Sequence, residues 1–113
     1  MTARLNLKIY RGTSFAETFV WTENGLPVDL TTWQAKIQIK PDSGTPAYTL
    51  SSADGQIILG ADGSIAVTLD PAFTATMAVG SYDWDILLMD ATGFIQPPLL
   101  YGIVTVYQGV TTW

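Results

Sequence analysis

An alternating stretch in the second half of the chain, residues 80–90, constrains the fold more than any other segment. Its sequence is G-S-Y-D-W-D-I-L-L-M-D, in which large apolar side chains take every second position from Tyr82 to Leu88. A period of two is typical of a β-strand that buries one face. Leu87 places a further apolar side chain on the opposite face, and strands that are apolar on both faces lie in the middle of a sheet. The stretch therefore predicts a central strand in the core of a β-sandwich.

The rest of the chain repeats this alternation in shorter segments separated by turn-forming residues. Strands are predicted over residues 4–10, 14–22, 33–40, 47–51 and 99–108, and after the Asp-Gly pairs at 54–55 and 62–63. Asn24-Gly25 marks a tight turn, because both residue types accept positive φ. Pro27 lacks the N–H that a sheet ladder needs, so residues 26–30 are expected on an edge or in a crossing connection.

A single helix is predicted between two of these strands. Asp70-Pro71 supplies an N-cap followed by a residue suited to the first helical position, and Gly80 can end the segment in the left-handed region. The chain has 113 residues, which is long enough for one two-layer core. We expect an all-β fold: a single β-sandwich domain over residues 1–113, with seven or eight strands, one short helical turn and a C-terminal tail at residues 108–113.

One charged residue interrupts an otherwise apolar strand face near the N-terminus. Phe15, Glu17, Phe19 and Trp21 alternate and would share one side of their strand. Either a β-bulge resets the alternation at Glu17, or the first half of the strand is exposed.

The composition excludes several kinds of chemistry. The chain contains no cysteine and no histidine, which removes disulfides, zinc sites of the usual Cys and His type, and an imidazole base. Five basic residues against ten acidic ones give a net charge of −5, so we expect no nucleic-acid partner. No segment approaches the apolar length of a membrane span, and residues 1–20 lack the apolar run of a signal peptide. We therefore expect no membrane partner.

Charged residues are scarce as well as unbalanced. They make up 13% of the chain, whereas an ordinary domain carries about 25%. With few charges to cover its outside, the fold should expose apolar and hydroxyl-bearing surface that a neighbour covers. A homo-oligomer is therefore expected, and a monomer with a threonine-rich surface is the alternative.

Few residues suit catalysis or metal binding. Asp83 and Asp85 lie about 7 Å apart along one strand face, a spacing compatible with the paired carboxylates of a glycosidase or with two solvated acids. Asp54 and Asp62 lack the clustered oxygen ligands of a calcium loop and suit plain Asp-Gly turns. Asp29 is expected to accept hydrogen bonds from nearby turn amides. We therefore expect no catalytic, metal-binding or cofactor-binding residue, no cofactor and no enzymatic activity.

The order and spacing of these segments resemble a known kind of module. Over residues 14–107 the chain runs F-V-W-T-E-N-G-L-P-V-D-L-T-T-W-Q-A-K-I-Q-I-K, then G-S-I-A-V-T-L-D-P, then G-S-Y-D-W-D-I-L-L-M-D-A-T-G, then L-L-Y-G-I-V-T-V. This succession is similar to small immunoglobulin-like β-sandwich modules of tailed-phage virions, among them the N-terminal domain of baseplate upper proteins. The resemblance implies an immunoglobulin-like antiparallel β-sandwich.

The same resemblance implies a function. Such a module is a non-enzymatic virion protein, assembled in the host cytoplasm, that attaches fibre or receptor-binding components to the tail or joins neighbouring subunits. Its partners are therefore other virion subunits of the tail, baseplate, fibre or collar. We expect no coiled coil or receptor-binding domain after Trp113, so baseplate, fibre adaptor, collar and head decoration all remain open.

Large side chains at the surface are the interface candidates. They are Trp21, Tyr101, Val104, Val106, Tyr107, Val110 and Trp113. The last strand is apolar on both faces, so it is either central or covered from outside. We expect Val110 and Trp113 to dock on another subunit beside this strand, unless the tail folds back on its own sandwich.

A carbohydrate-binding or host-adhesion module is the alternative function. Because Trp33 and Trp84 alternate with the core, that module would have to stack sugars on Trp21 and Trp113.

Overall fold

The computed structural model describes residues 3–41 and 47–110, which form two β-sheets, a short hairpin and one short helix. The strands are β1 (Ala3–Arg4), β2 (Leu7–Tyr10), β3 (Phe15–Val20), β4 (Thr22–Glu23), β5 (Leu26–Pro27), β6 (Gln34–Lys40), β7 (Tyr48–Ser51), β8 (Ile57–Leu59), β9 (Ser64–Leu69), β10 (Gly80–Met89) and β11 (Leu100–Tyr107), and the helix is α1 (Pro71–Ala75). The predicted all-β fold is confirmed. No helix in this part of the chain is long and apolar enough to cross a membrane.

The larger sheet contains six strands, with β10 at its centre. Its order is β1-β11-β10-β6-β7, and β2 also pairs with β11. Strand β10 is antiparallel to both of its neighbours, which confirms the prediction of a central strand over residues 80–90. By contrast, β1 and β2 run parallel to β11. This parallel pairing is possible because β2 leads into the other sheet, so no hairpin dictates its direction relative to β11.

The smaller sheet contains β3, β9 and β8 in that order, all antiparallel. Strands β4 and β5 pair only with each other, as expected for a segment that contains Pro27. The turn between them has φ of 53° at Asn24 and 78° at Gly25, which confirms the tight turn. The hairpin therefore extends from one end of the sandwich.

The two sheets pack their inner faces together around the large side chains of β10. Tyr82, Trp84, Ile86 and Leu88 are all buried, as the alternation predicts. Trp84 is 3% exposed, and its ring lies 6.4 Å, centroid to centroid, from the Phe19 ring of the smaller sheet. Full burial of one apolar side chain contributes about 1.5–3 kcal/mol. Strand β10 thus supplies a large share of the contact between the layers.

A break at Leu5-Asn6 divides the first predicted strand into β1 and β2. The carbonyl oxygen of Leu5 accepts a hydrogen bond from Trp84 Nε1 at 2.9 Å. Next to it, Asn6 Oδ1 accepts one from the backbone N–H of Ile103 at 3.1 Å. The backbone comes so close to β11 that a Cβ on Gly102 would overlap the Leu5 carbonyl. The prediction of one continuous strand is wrong, because here the backbone turns inward and supplies the indole N–H with an acceptor.

Glu17 belongs to an uninterrupted strand. Every residue of β3 has a partner in β9, so no bulge occurs. In the first half of the strand, Phe15 is half-buried against the core, whereas Ala16 and Glu17 are exposed. Glu17 lies opposite the buried Val67 and shares its side of the sheet, yet it is exposed because β3 is an edge strand. The bulge is therefore wrong, whereas the alternative of exposure holds for Glu17, since an edge position lets an inward-directed side chain reach water.

Helix α1 begins where predicted and ends earlier than expected. The Asp70 side chain accepts a hydrogen bond from the backbone N–H of Phe73 at 2.8 Å, which confirms the N-cap. Thr76 caps the other end, and its backbone N–H bonds to the carbonyl of Phe73 at 3.0 Å. Gly80 does not terminate the helix but is the first residue of β10.

Candidate interaction surface

The outward side chains of the larger sheet form a broad surface, which we call the six-strand face. Every second residue of β1, β2, β11, β10, β6 and β7 contributes to it, because the intervening residues point into the core. Its large apolar members are Tyr10, Leu87, Met89, Tyr101, Ile103 and Tyr107. Its charged members are Arg4, Lys8, Lys36, Lys40, Asp83 and Asp85. Tyrosine, methionine and arginine are enriched at protein–protein interfaces, and charged side chains lie at their rims, so the exposed tyrosines make this face a candidate binding surface.

Two tyrosines on this face hold each other in place. Tyr10 of β2 and Tyr107 of β11 are opposite each other in the register, and their rings stack with centroids 5.1 Å apart. Tyr10 is 49% exposed, and Tyr101 further along β11 is 42% exposed. An aromatic side chain that is fixed before binding loses little conformational entropy when a partner arrives. The face therefore offers preorganised aromatic anchors.

The structure divides the interface candidates of β11 between two faces. Tyr101 and Tyr107 point outward on the six-strand face. Val104 and Val106 are each 1% exposed and belong to the core. The prediction of an interface role for these two valines is wrong, because their strand has neighbours on both sides and its inner face packs on the smaller sheet.

The remaining candidates lie elsewhere. Trp21 is half-buried against the core, and its ring meets the Trp33 ring edge-on at 5.5 Å. This packing leaves Trp21 poorly placed as a stacking platform for sugars. Val110 is fully exposed beyond the end of β11. Trp113 lies outside the described residues, so docking of the tail stays a prediction.

Sequence reasoning missed Tyr10. The alternation of the N-terminal strand puts Tyr10 on the outward side, which was visible in the sequence. Its stacking on Tyr107 depends on the parallel pairing of β2 with β11, 97 positions away in the chain. Hydrophobic periodicity assigns a face to a residue but gives no pairing partner over that separation.

The two adjacent acids of β10 lie in a shallow depression of the six-strand face. The depression has a volume of about 420 Å³ and is lined by Gln38, Lys40, Asp83, Asp85 and Tyr101 among others. Asp83 lies opposite Lys40 in the register, and Asp85 lies opposite Gln38. The carboxylates therefore have polar neighbours across the strand on an open surface.

Other aspartates serve the turns of the fold. The Asp29 carboxylate accepts hydrogen bonds from the backbone N–H and the hydroxyl of Thr31, at 3.0 and 2.7 Å, which confirms the prediction for Asp29. These bonds favour the charged form and hold the pKa of Asp29 below its ordinary value. Asp62 accepts from the backbone N–H of Ser64 at 3.1 Å in the turn before β9. Within residues 3–41 and 47–110, no three His, Cys, Asp or Glu residues come together as metal ligands.

Comparison with known proteins finds similarity at the level of the fold. No protein-family model matches the sequence, and no curated protein matches it either. Among solved structures, the N-terminal domain of phage TP901-1 ORF48 resembles this chain with a TM-score of 0.59 at 13% sequence identity. The match covers 94% of this chain and 96% of that domain. The two therefore share a fold over almost their full lengths.

Two further structures share parts of the same architecture. A candidate glycoside hydrolase from Bacteroides vulgatus ATCC 8482 matches with a TM-score of 0.53 at 10% identity, over 91% of this chain and 16% of the hydrolase. A chain in the crystal structure of ICOS with ICOS-L and an anti-ICOS-L VNAR domain matches with a TM-score of 0.50 at 13% identity, over 96% of this chain and 56% of that one. The immunoglobulin-like sandwich thus recurs in proteins with unrelated roles, and the fold alone does not assign one.

Proposed function

We propose that this chain is a non-enzymatic structural protein of a tailed-phage virion that acts by contact with neighbouring subunits. The observation that carries the proposal is the six-strand face, a broad exposed surface with preorganised tyrosines on a rigid sheet. The full-length likeness in fold to a domain of a phage protein supports the phage setting. So does the order of the strand and turn motifs along the sequence.

The finer assignment within this proposal is a tail, baseplate or fibre-attachment adaptor assembled in the host cytoplasm. Rigid strands present Tyr101 and Tyr107 at fixed positions, as an adaptor that must hold a neighbour in one orientation requires. Lys8 and Lys40 lie on the same face, where they can pair with acids of a partner and fix its register. The chemistry is that of recognition between proteins, with no reacting group.

The direct test is to locate the chain in a particle. An antibody raised against the purified protein is applied to intact phage particles released from the strain that carries the gene, and bound gold label is imaged by electron microscopy. We expect label at one fixed position on each particle. Particles that remain unlabelled, although the protein is expressed in the same cells, would contradict the proposal.

A second experiment tests the surface. Tyr101→Arg places a bulky charge on the six-strand face, and it should prevent incorporation of the protein into particles while the protein still folds. Ala91→Arg, in the exposed turn after β10, is the matched control and should be incorporated normally. Equal incorporation of both variants would show that the six-strand face is not the binding surface.

A carbohydrate-binding or host-adhesion module would use exposed aromatic rings differently. Sugar stacking needs an open ring face, but Tyr10 and Tyr107 cover one face of each other. Binding of the isolated protein to a glycan array, lost in Tyr101→Ala, would favour that alternative over a structural role.

A further inference from the structure

The outward side chains of the smaller sheet form a second surface, which we call the three-strand face. It consists of Ala16, Thr18 and Val20 of β3, Ile58 of β8, and Ser64, Ala66 and Thr68 of β9. None of these residues carries a charge. Val20 is 62% exposed and Ile58 is 58% exposed, so the face presents apolar and hydroxyl-bearing side chains outward. An uncharged sheet face of this kind is suited to contact with another protein.

Acidic side chains surround the three-strand face. Glu23 and Asp62 lie beyond the end of the sheet where β3 finishes and β9 begins, and Asp54 and Asp70 lie beyond the opposite end. All four are exposed. If two copies met through this same face, acids would stand against acids, and like charges across an interface disfavour the pairing.

Basic side chains lie on the other side of the sandwich. The chain has five basic residues, and four of them, Arg4, Lys8, Lys36 and Lys40, lie on the six-strand face. The fifth, Arg11, is engaged within the chain, where Nη1 donates to Gln108 Oε1 at 2.6 Å and Nη2 to the carbonyl of Ala75 at 2.8 Å. No ion pair joins the acids and bases of the described residues. The six-strand face also carries Asp83 and Asp85, so its net charge is positive, whereas the surroundings of the three-strand face are acidic.

We infer that the three-strand face of one copy packs against the six-strand face of the next copy, head to tail. In this contact, the acidic side chains around the three-strand face of one copy lie against the four basic residues on the six-strand face of the next copy. The inference rests on the proposed function, which assigns binding to the six-strand face, and it names the partner of that face. The two faces lie on opposite sides of the sandwich, so each copy retains a free face. Such heterologous contacts build a ring or a filament.

The size of the contact sets its strength. From strand spacing and rise, the three-strand face measures about 14 Å by 20 Å, or about 300 Å². Stable interfaces bury about 800 Å² on each partner. The contact alone is therefore weak, and it becomes populated where many copies are held at high local concentration, as in an assembly. Because it depends on opposite charges at the surface, it should weaken as salt rises.

Analytical ultracentrifugation of the purified full chain provides the test. At about 20 mM salt, where the screening length exceeds 20 Å, we expect the weight-average mass to rise with protein concentration, and to return to the monomer mass at about 1 M salt. A monomer mass at the highest attainable concentration in low salt would overturn the inference.

Blocked variants distinguish head-to-tail contact from pairing through one face. Ala66→Arg blocks the three-strand face, and the double variant Lys36→Glu, Lys40→Glu blocks the six-strand face. Each should remain monomeric alone, but their mixture should form a one-to-one dimer and stop there, because only one intact face of each kind remains. If the mixture stays monomeric, or if the Lys36→Glu, Lys40→Glu protein still associates with itself, the head-to-tail arrangement is wrong.

Controls keep this result interpretable. Thr18→Arg, on an exposed position of β3, replaces Ala66→Arg if the half-buried site does not tolerate arginine. Ala91→Arg and Ala91→Glu change charge outside both faces and should associate like the unaltered chain. Circular dichroism confirms that each variant is folded. If particles are labelled but the protein is strictly monomeric, the proposed function stands and only this inference is wrong. If particles are unlabelled but the blocked variants form a head-to-tail dimer, the contact is real and the proposed function is wrong.

Discussion

Trp84 Nε1 donates a hydrogen bond to the backbone carbonyl oxygen of Leu5 at 2.9 Å, and this bond links the central strand to the first segment of the chain. The indole lies in the core between the sheets, where its N–H needs an acceptor. Leu5 supplies one because the backbone breaks between β1 and β2. The N-terminal segment is thus held by a side chain as well as by its pairing with β11.

Two replacements of Trp84 should distinguish the contribution of its packing to the free energy of unfolding from the contribution of its hydrogen bond. Trp84→Ala removes a buried aromatic side chain and should lower the free energy of unfolding by about 3–5 kcal/mol. Trp84→Phe keeps much of the packing but leaves the Leu5 carbonyl without its donor, which should cost about 1–3 kcal/mol. Urea denaturation measures both. Trp21→Ala is the comparison, and its loss should be clearly smaller, because Trp21 is only half-buried. Equal losses for Trp84→Ala and Trp21→Ala would contradict this account.

Gly102→Ala should destabilise the fold without changing its surface. The added Cβ would overlap backbone atoms of Leu5, which cannot rotate away as a flexible side chain can. We expect a loss of about 1–3 kcal/mol in the free energy of unfolding, typical of a forced backbone shift. Thr105→Ala, on the outward side of the same strand, should change it by less than about 0.5 kcal/mol. A neutral effect of Gly102→Ala would show that the N-terminal segment moves freely.

Glu17 should protect an open sheet edge. It is an inward-directed charge on an edge strand, between Phe15 and Phe19, and such a charge disfavours the addition of a further strand. Glu17→Val should therefore produce strand-mediated aggregates, detected by thioflavin fluorescence and light scattering. Glu17→Gln keeps a polar group and should aggregate much less. If Glu17→Val stays as dispersed as the unaltered chain, the edge is protected by something else.

Acid should weaken the fold through its turns. Hydrogen bonds from the backbone N–H and hydroxyl of Thr31 lower the pKa of Asp29, and one from the Thr92 hydroxyl lowers the pKa of Asp90. A folded-state pKa below the unfolded value gives stability that is present above the unfolded pKa and lost as pH falls through the folded one. With no histidine to titrate, Tm should hold from pH 7 to about 5 and fall below about 4.

The variant Asp90→Asn measures how much of the fall in Tm at low pH comes from Asp90. Asp90→Asn keeps an acceptor oxygen in its turn but cannot titrate, so Tm of this protein should fall less between pH 5 and pH 2 than Tm of the unaltered chain. Thermal melts followed by circular dichroism give both profiles. Superimposable profiles would exclude a contribution from Asp90.

Local sequence patterns predicted the strands and the helix well, but they did not predict which strands pair across long separations in the chain. The alternation from Tyr82 to Leu88 predicted a central strand, and Asp70 predicted the helix start, because both signals act within a few residues. The alternation also grouped Trp33 with the buried Trp84, yet Trp33 lies just before β6 and is half-buried. Periodicity gives the direction of a side chain but not the depth of the layer that covers it.

The candidate surface shows the same limit. Tyr101 and Tyr107 were identified as interface candidates, but Val104 and Val106 were included with them because a strand apolar on both sides does not reveal which side is covered. The net positive charge of the six-strand face and the acidic surroundings of the three-strand face depend on strand order. The acids around the three-strand face are scattered from Glu23 to Asp70 and come together only in the sandwich.

The parallel pairing of β2 with β11 also bears on how the molecule carries mechanical load. Leu7 lies opposite Val104 and Tyr10 opposite Tyr107, with both strands running in the same direction. A pull on the chain before β2 and after β11 then acts along the strands in opposite senses. The hydrogen bonds between them resist together in shear, instead of opening one after another as in a hairpin pulled at its open end. Single-molecule pulling through these two points should need a higher force than pulling across the β8–β9 hairpin. A protein joined to neighbours at both ends would thus transmit tension through a pair of strands loaded in shear.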